Sequence, residues 1–235
     1  MDKPRIWALV PAAGSGTRFG SETPKQYCEI ADKPILSYAL ETLASIGKIH
    51  GIVVGLAKGD RWWSEKIAGS YNILGTYTGG CSRAETVLRG LEFLGPHSQT
   101  DDWVLVHDAA RPCIQASDVE HLIKERGSLS SGAILAVPIS DTVKRSNGKN
   151  LVKETVSRET LWHAQTPQLF PFEVLRNALR ESDLSLVTDE ASVMEAMGYR
   201  PRLVRGRVDN LKVTTVEDLE LAALILRARI REGIG

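Results

Sequence analysis

The sequence carries no surplus of charge: 29 basic residues face 29 acidic ones over 235 positions. That balance argues against a general nucleic-acid binder, which needs a basic excess. Any affinity for an anion must come from a few convergent cations. Cysteine is scarce. Cys28, Cys81 and Cys113 are odd in number and widely spaced, giving neither a disulfide framework nor metal-ligand spacing, and they point to a reducing cytoplasm. No apolar run approaches a membrane-spanning length, and the run Ile6 to Val10 is too short for a signal peptide. Internal repeats, low-complexity tracts, linkers, a Ser/His/Asp set and a C-x-x-C pair are all missing. What remains is a soluble globular composition long enough for one large α/β domain or two small ones. With no linker, one domain over residues 1–235 with an arm at 139–160 fits best.

The most informative stretch is the loop Pro11 to Gly20 (PAAGSGTRFG), which follows the apolar run and precedes Pro24, Lys25 and Gln26. Glycines let backbone N–H groups wrap an anion, and Arg18 and Lys25 add two permanent charges. A polyphosphate cradle explains this combination; a tight turn with surface cations is the plainer reading.

Further along, Pro34 opens a helix with Ile35, Leu36, Ala39, Leu40, Leu43 and Ile46 on one face. Ile49 to Leu56 reads as a buried strand, Asp60 to Ala68 as a helix and Asn72 to Thr76 as a short strand. A second glycine turn, Gly79-Gly80, opens a helix to about Leu94. A strand over Trp103 to Val106 ends in His107-Asp108-Ala109-Ala110-Arg111-Pro112. A helix is expected near Ser117 to Glu125, with Ser117 to Glu120 as a capping box, and Gly132 to Ile139 is another apolar strand. Asp141 to Arg158 alternates like an exposed hairpin around Asn147-Gly148. Because such a hairpin is barely stable alone, it packs either on its own domain or on a second subunit. Helices near Pro171 to Arg180 and Asp189 to Met197, a strand at Arg200 to Arg205 and a helix from Val216 to about Arg229 complete the chain. Continuous apolar strands alternating with amphipathic helices imply a mainly parallel sheet covered on both faces. Ligands bind such sheets beyond the carboxyl ends of the strands, where Gly14 to Arg18, Gly79 to Arg83 and Asp108 to Arg111 fall.

Asp108, directly after a strand and near these cations, suits a hard divalent ion such as Mg²⁺ that bridges phosphates; Asp209 is a second candidate. A helix cap or a salt bridge to arginine is the alternative for each. Arg111, Arg158 and Lys212 lie in irregular segments where functional cations are common. His107 and His163 have no partner at ligand spacing and read as structural.

Six blocks in order, VPAAGSGTRFG (10–20), PKQ (24–26), HDAARP (107–112), LWHAQTPQ (161–168), TDE (188–190) and DNLKVT (209–214), resemble the 2-C-methyl-D-erythritol 4-phosphate cytidylyltransferases of the non-mevalonate isoprenoid pathway. The resemblance implies a Rossmann-like three-layer α/β nucleotidyltransferase fold with a projecting β-hairpin arm. It assigns Ala12, Ala13, Gly14, Ser15, Gly16 and Thr17 to the CTP triphosphate, and Arg18 and Lys25 to the charge on the reacting phosphates. Gly80, Arg83 and Thr86 would contact cytosine and ribose, with Thr86 standing where the family usually has Ser. Asp108 and Ala109 match the ribose and metal region. Arg111, Thr142, Arg158, Thr166 and Lys212 match the sugar-phosphate side. The implied cofactor is Mg²⁺, the partners are CTP and a sugar-alcohol phosphate, and the assembly is a homodimer in which Arg158 and Thr166 complete the neighbouring site. A ribitol-5-phosphate cytidylyltransferase and a non-catalytic CTP sensor are the alternatives. A dinucleotide oxidoreductase fails, because the loop glycines do not form G-x-G-x-x-G.

Overall fold

The computed structural model describes residues 3–14, 23–67, 71–126 and 131–232. The apolar run forms β1 (Ile6–Pro11), and around it a seven-stranded sheet is built from β4 (Ile49–Leu56), β5 (Ile73–Thr78), β6 (Trp103–Val106), β7 (Ala133–Pro138), β10 (Trp162–Pro171) and β11 (Arg202–Arg205). The order is β11-β7-β10-β6-β1-β4-β5. β1 pairs in parallel with β4 and β6, β4 with β5, and β7 with β11. β10 runs antiparallel between β6 and β7. Two short pairs stand apart from this sheet: β2 (Glu29–Ile30) with β3 (Lys33–Pro34), and β8 (Val143–Ser146) with β9 (Val152–Val156).

β1 is apolar throughout because both of its faces are covered. Ile6, Ala8 and Val10 pack towards Leu36 and Leu40 of α1 (Ile35–Ala44) and Leu122 of α4 (Ala116–Glu125). Trp7 and Leu9 turn the other way, towards Val87 and Leu91 of α3 (Arg83–Leu94), Leu175 of α5 (Phe172–Glu181) and Met194 of α6 (Glu190–Ala196). The period-two alternation of a strand thus feeds two apolar layers. A third cluster seats α7 (Val216–Glu232) through Ala222 and Leu226 against Ile35, Tyr38, Cys113 and Val213. The remaining helix, α2 (Trp62–Lys66), is short. None of the helices is long and apolar enough to cross a membrane among the described residues.

One local expectation changes, and one strand arises that was not expected. Helix α4 begins at Ala116 after an extended Gln115, with no side-chain cap, so Ser117 lies inside the first turn and forms no capping box. β10 carries no strand signal in the sequence. Its pairing with β7 shifts register between Ala164 and Gln168, and this irregularity with Pro167 hides the period. The arm forms as expected, with Gly148 and Asn150 at positive φ (84° and 59°) in its turn. Its strands are largely exposed and pair with no strand of the main sheet.

Opposite the carboxyl edge, Asp102 fastens the start of β1 to that of β6. Its buried carboxylate accepts from Arg5 N (2.8 Å), Trp7 Nε1 (2.9 Å) and Gln99 N (3.0 Å), and pairs with the Arg5 guanidinium (3.0 Å). Burial works to raise its pKa, but the Gln99, Trp7 and Arg5 hydrogen bonds outweigh burial and hold it below the ordinary 3.8. Asp102→Asn is therefore expected to cost about 2–3 kcal/mol in denaturant unfolding. Because the folded-state pKa is depressed, the difference from wild type should be full near neutrality and shrink as pH falls below about 4. An unchanged midpoint would remove Asp102 as the anchor.

Candidate active site

The carboxyl ends of β1, β5 and β6 open onto a cleft of about 320 Å³. Ala12, Ala13 and Gly14 line it from the first loop, Gly80, Cys81, Ser82, Arg83 and Thr86 from the second turn and α3, and Asp108, Ala109 and Ala110 from the end of β6. Lys25, Gln26 and Lys212 close it. Each loop is tied to a neighbouring strand as it leaves the sheet: Ala12 N donates to Gly55 O (2.7 Å), Gly79 N to Leu56 O (2.8 Å) and His107 N to Leu9 O (2.9 Å). The first two loops touch so closely that a Cβ at Gly79 would lie 2.4 Å from the Cβ of Ala13.

Asp108 is the electrostatic centre. Its Oδ1 accepts from Arg83 Nε at 2.8 Å, while Oδ2 meets Lys212 Nζ at 2.9 Å and Arg111 Nε at 3.4 Å. Burial alone would raise this carboxyl's pKa; Arg83, Lys212 and Arg111 together hold it far below the ordinary range, so it stays ionised. Arg83 is held in turn by Glu190, which is fully buried and accepts from the two terminal guanidinium nitrogens, Nη1 and Nη2, at 2.7 and 3.0 Å. Arg111 also donates to Asn210 O at 2.7 Å. Lys25 donates to Val213 O at 3.2 Å, one residue beyond Lys212. Arg83, Arg111 and Lys212 thus gather around Asp108, with Glu190 behind Arg83 and Lys25 nearby, in a chain of zero net charge.

Beneath Asp108 lies a chain of neutral hydrogen bonds. Asp108 N donates to Thr166 Oγ1 (3.0 Å), Thr166 Oγ1 lies 3.2 Å from His107 Nδ1, and His107 Nε2 lies 3.2 Å from Arg111 O. A carbonyl can only accept, so Nε2 carries the proton and the Thr166 hydroxyl donates to Nδ1. Burial pushes the His107 pKa down to about 4, which keeps the ring neutral.

The expected site residues divide into groups. Lys25, Lys212, Arg83, Thr86, Asp108, Ala109, Gly80, Ala12, Ala13 and Gly14 meet at the cleft. Arg111 joins them through Asp108. Two hydroxyls face inward: Thr86 Oγ1 donates to Ser82 O (2.9 Å) and accepts from Gly80 N (3.0 Å), and Thr166 bonds as described. Thr142 and Arg158 are exposed beside the arm, with Arg158 bonded to Ser140 O. Ser15, Gly16, Thr17 and Arg18 lie outside the described residues. Asp209 does not line the cleft; Arg207 (3.0 Å) and Arg229 (2.9 Å) take its carboxylate, the salt-bridge alternative.

Two participants escape a reading of composition and spacing. Glu190 falls in the TDE block just inside a helix, where a buried carboxylate cannot be told from a solvated one. Gln26 is a neutral side chain next to a conspicuous lysine. A polar residue within a block otherwise read as functional is the available signal for both.

The model of the 2-C-methyl-D-erythritol 4-phosphate cytidylyltransferase (IspD) family matches residues 6–228. The protein of that name from Hahella chejuensis is 44% identical over 99% of this chain and 97% of its own. Its namesake from Dechloromonas aromatica is 46% identical over 96% and 99%. Among solved structures, a 4-diphosphocytidyl-2C-methyl-D-erythritol synthase superposes with a TM-score of 0.84 at 36% identity, covering 95% of this chain and 99% of the other. The Francisella tularensis cytidylyltransferase gives 0.81 at 33% identity, covering 94% and 99%. A mostly parallel sheet with a cationic cleft at its carboxyl edge, matched from end to end by these relatives, places the chain in the 2-C-methyl-D-erythritol 4-phosphate cytidylyltransferase family.

Proposed function

We propose that the cleft around Asp108 is where this chain transfers the cytidylyl group of CTP to 2-C-methyl-D-erythritol 4-phosphate. The observation that supports it is the gathering of Lys25, Arg83, Arg111 and Lys212 at one cleft beside two backbone loops, in a protein with no overall charge. An oxygen of the acceptor's phosphate forms a bond to the α-phosphorus of CTP, and the bond to the bridging oxygen breaks to release pyrophosphate. A phosphate dianion is already a nucleophile, so no proton moves. The work of the protein is to hold two anions in line and offset charge on the transition state.

In this reading Ala12 to Thr17 receive the triphosphate on backbone N–H groups, and Arg18 and Lys25 stabilise its charge. Gly80, Arg83 and Thr86 shape the nucleoside side with Asp108 and Ala109. Lys212 moves from Asp108 onto the α-phosphate, and its ammonium, with a side chain 38% exposed, is free to do so. Arg111, Thr142, Arg158 and Thr166 serve the acceptor. Ribitol 5-phosphate is the rival acceptor.

A divalent ion such as Mg²⁺ binds through one or two carboxylates and completes its shell with substrate phosphates and water. Asp108 is the carboxylate lining the cleft, and no cluster of three or more His, Cys, Asp or Glu exists among the described residues. That donor set fits an ion arriving with the triphosphate, held by Asp108 and neutralising the phosphates.

The exposed arm, with Arg158 and Thr142 beside it, suits a homodimer in which each arm completes the other subunit's acceptor side.

Pyrophosphate release should require CTP over ATP or UTP and favour 2-C-methyl-D-erythritol 4-phosphate over ribitol 5-phosphate. Lys25→Ala and Lys212→Ala should each lower kcat by about 100-fold; near-normal turnover in both would dismiss the roles given them. Mixing Arg158→Ala subunits with Lys25→Ala subunits should restore part of the activity, whereas no recovery would count against a shared site. Since His107 stays neutral, the acid limb of kcat/KM should fall near pH 6, where a phosphate monoester takes up its second proton. That limb should persist in His107→Gln, and its disappearance would bring His107 into the chemistry.

A further inference from the structure

The turn Lys25–Tyr27 fastens three parts of the molecule with three consecutive side chains. Lys25 Nζ donates to the backbone O of Val213, next to Lys212 (3.2 Å), and the Tyr27 hydroxyl donates to Asp60 Oδ2 (2.8 Å). Between them Gln26, 3% exposed, turns its amide to the first loop: Nε2 donates to Ala12 O (2.7 Å) and to Gly14 O (3.1 Å). A primary amide nitrogen carries two hydrogens, and these two carbonyls take both. In a planar trans peptide the carbonyl fixes the direction of the next N–H. Holding the Ala12 carbonyl therefore sets the peptide plane that carries the Ala13 N–H, and the bond to Gly14 O pins the loop backbone two residues on, before any ligand arrives. Because Lys25 is the adjacent residue, the same amide also sets the spacing between the loop backbone and the Lys25 ammonium.

We infer that Gln26 is a positioning residue for the nucleotide, holding the Ala12–Gly14 backbone and Lys25 in one fixed arrangement. The inference rests on the proposed function of this cleft. Gln26 touches no reacting atom; it acts through the backbone that does. Lacking these donors, the buried Ala12 carbonyl and the Gly14 carbonyl would lose their partner and the loop would settle into other arrangements, so affinity for the triphosphate would fall. Neither effect would reach the acceptor side.

The test compares the wild type with Gln26→Met, which keeps length and loses both donors, and Gln26→Glu, which keeps shape and sets a carboxylate against two carbonyls. For Gln26→Met, the KM for CTP and the Kd for CTP by calorimetry should rise about tenfold or more. The KM for 2-C-methyl-D-erythritol 4-phosphate should stay within about twofold. For Gln26→Glu, kcat/KM for CTP relative to wild type should climb as pH is lowered from about 8 to about 5.5, because a protonated carboxyl regains one donor. For Gln26→Met the same ratio should stay level. A folded Gln26→Met with CTP parameters within twofold of wild type overturns the proposal. So does a loss that affects both substrates alike and only in proportion to the unfolded fraction. Should Gln26→Met fail to fold, the pH-dependent recovery of Gln26→Glu carries the test, and its absence overturns the proposal. Absence of wild-type turnover would refute the activity reading instead, leaving the calorimetric comparison to judge Gln26.

Discussion

A single buried carboxylate organises the working edge of this protein. Asp108 sits where β6 ends, and isolated there its charge would be costly. Arg83, Lys212 and Arg111 meet that cost, each from a different part of the chain. The arrangement leaves cations gathered around one acid, with a second acid, Glu190, behind them. A ligand carrying several negative charges can take Lys212 from Asp108 without stripping that acid bare, because Arg83 and Arg111 remain. The resting site is thereby satisfied and still available to an anion.

Rigid backbone surrounds this cluster. Two loops leave β1 and β5, on either side of β4, touch at Gly79 and Ala13, and are held by side chains that are almost fully buried. Thr86 braces the second turn, Gln26 the first, and the neutral chain through Thr166 and His107 braces the peptide that bears Asp108. Burial keeps His107 uncharged, so this support does not change with pH in the working range.

Much of this was legible in the sequence. β1, β4, β6 and α3 announced themselves through continuous apolar runs and helical spacing, and the glycine turns then marked the sheet edge where a ligand binds. Less was legible where local pattern and tertiary use diverge. β10 carries a register break at 164–168 and no alternation, yet it lies in the middle of the sheet. Ser117 has the letters of a cap and sits two residues past the cap position. The family resemblance named Arg83 and Thr86 as candidates for the site but could not tell which way they point; the structure bonds both to neighbouring protein atoms. Asp209 was an acid in a functional block, and two arginines distant in sequence or adjacent in turn decide its state.

The contacts that build the cleft span very long stretches of chain. Arg83 meets Glu190 across 107 positions, Arg111 meets Asn210 across 99, and Lys25 meets Val213 across 188. Closing loops of that length carries an entropy penalty that only a largely formed sheet can offset. The cleft is therefore complete only when the C-terminal segment has docked. A chain emerging from synthesis can complete this electrostatic centre only after Glu190 and Lys212 have been made, so competence for polyanions and completion of the fold arrive together.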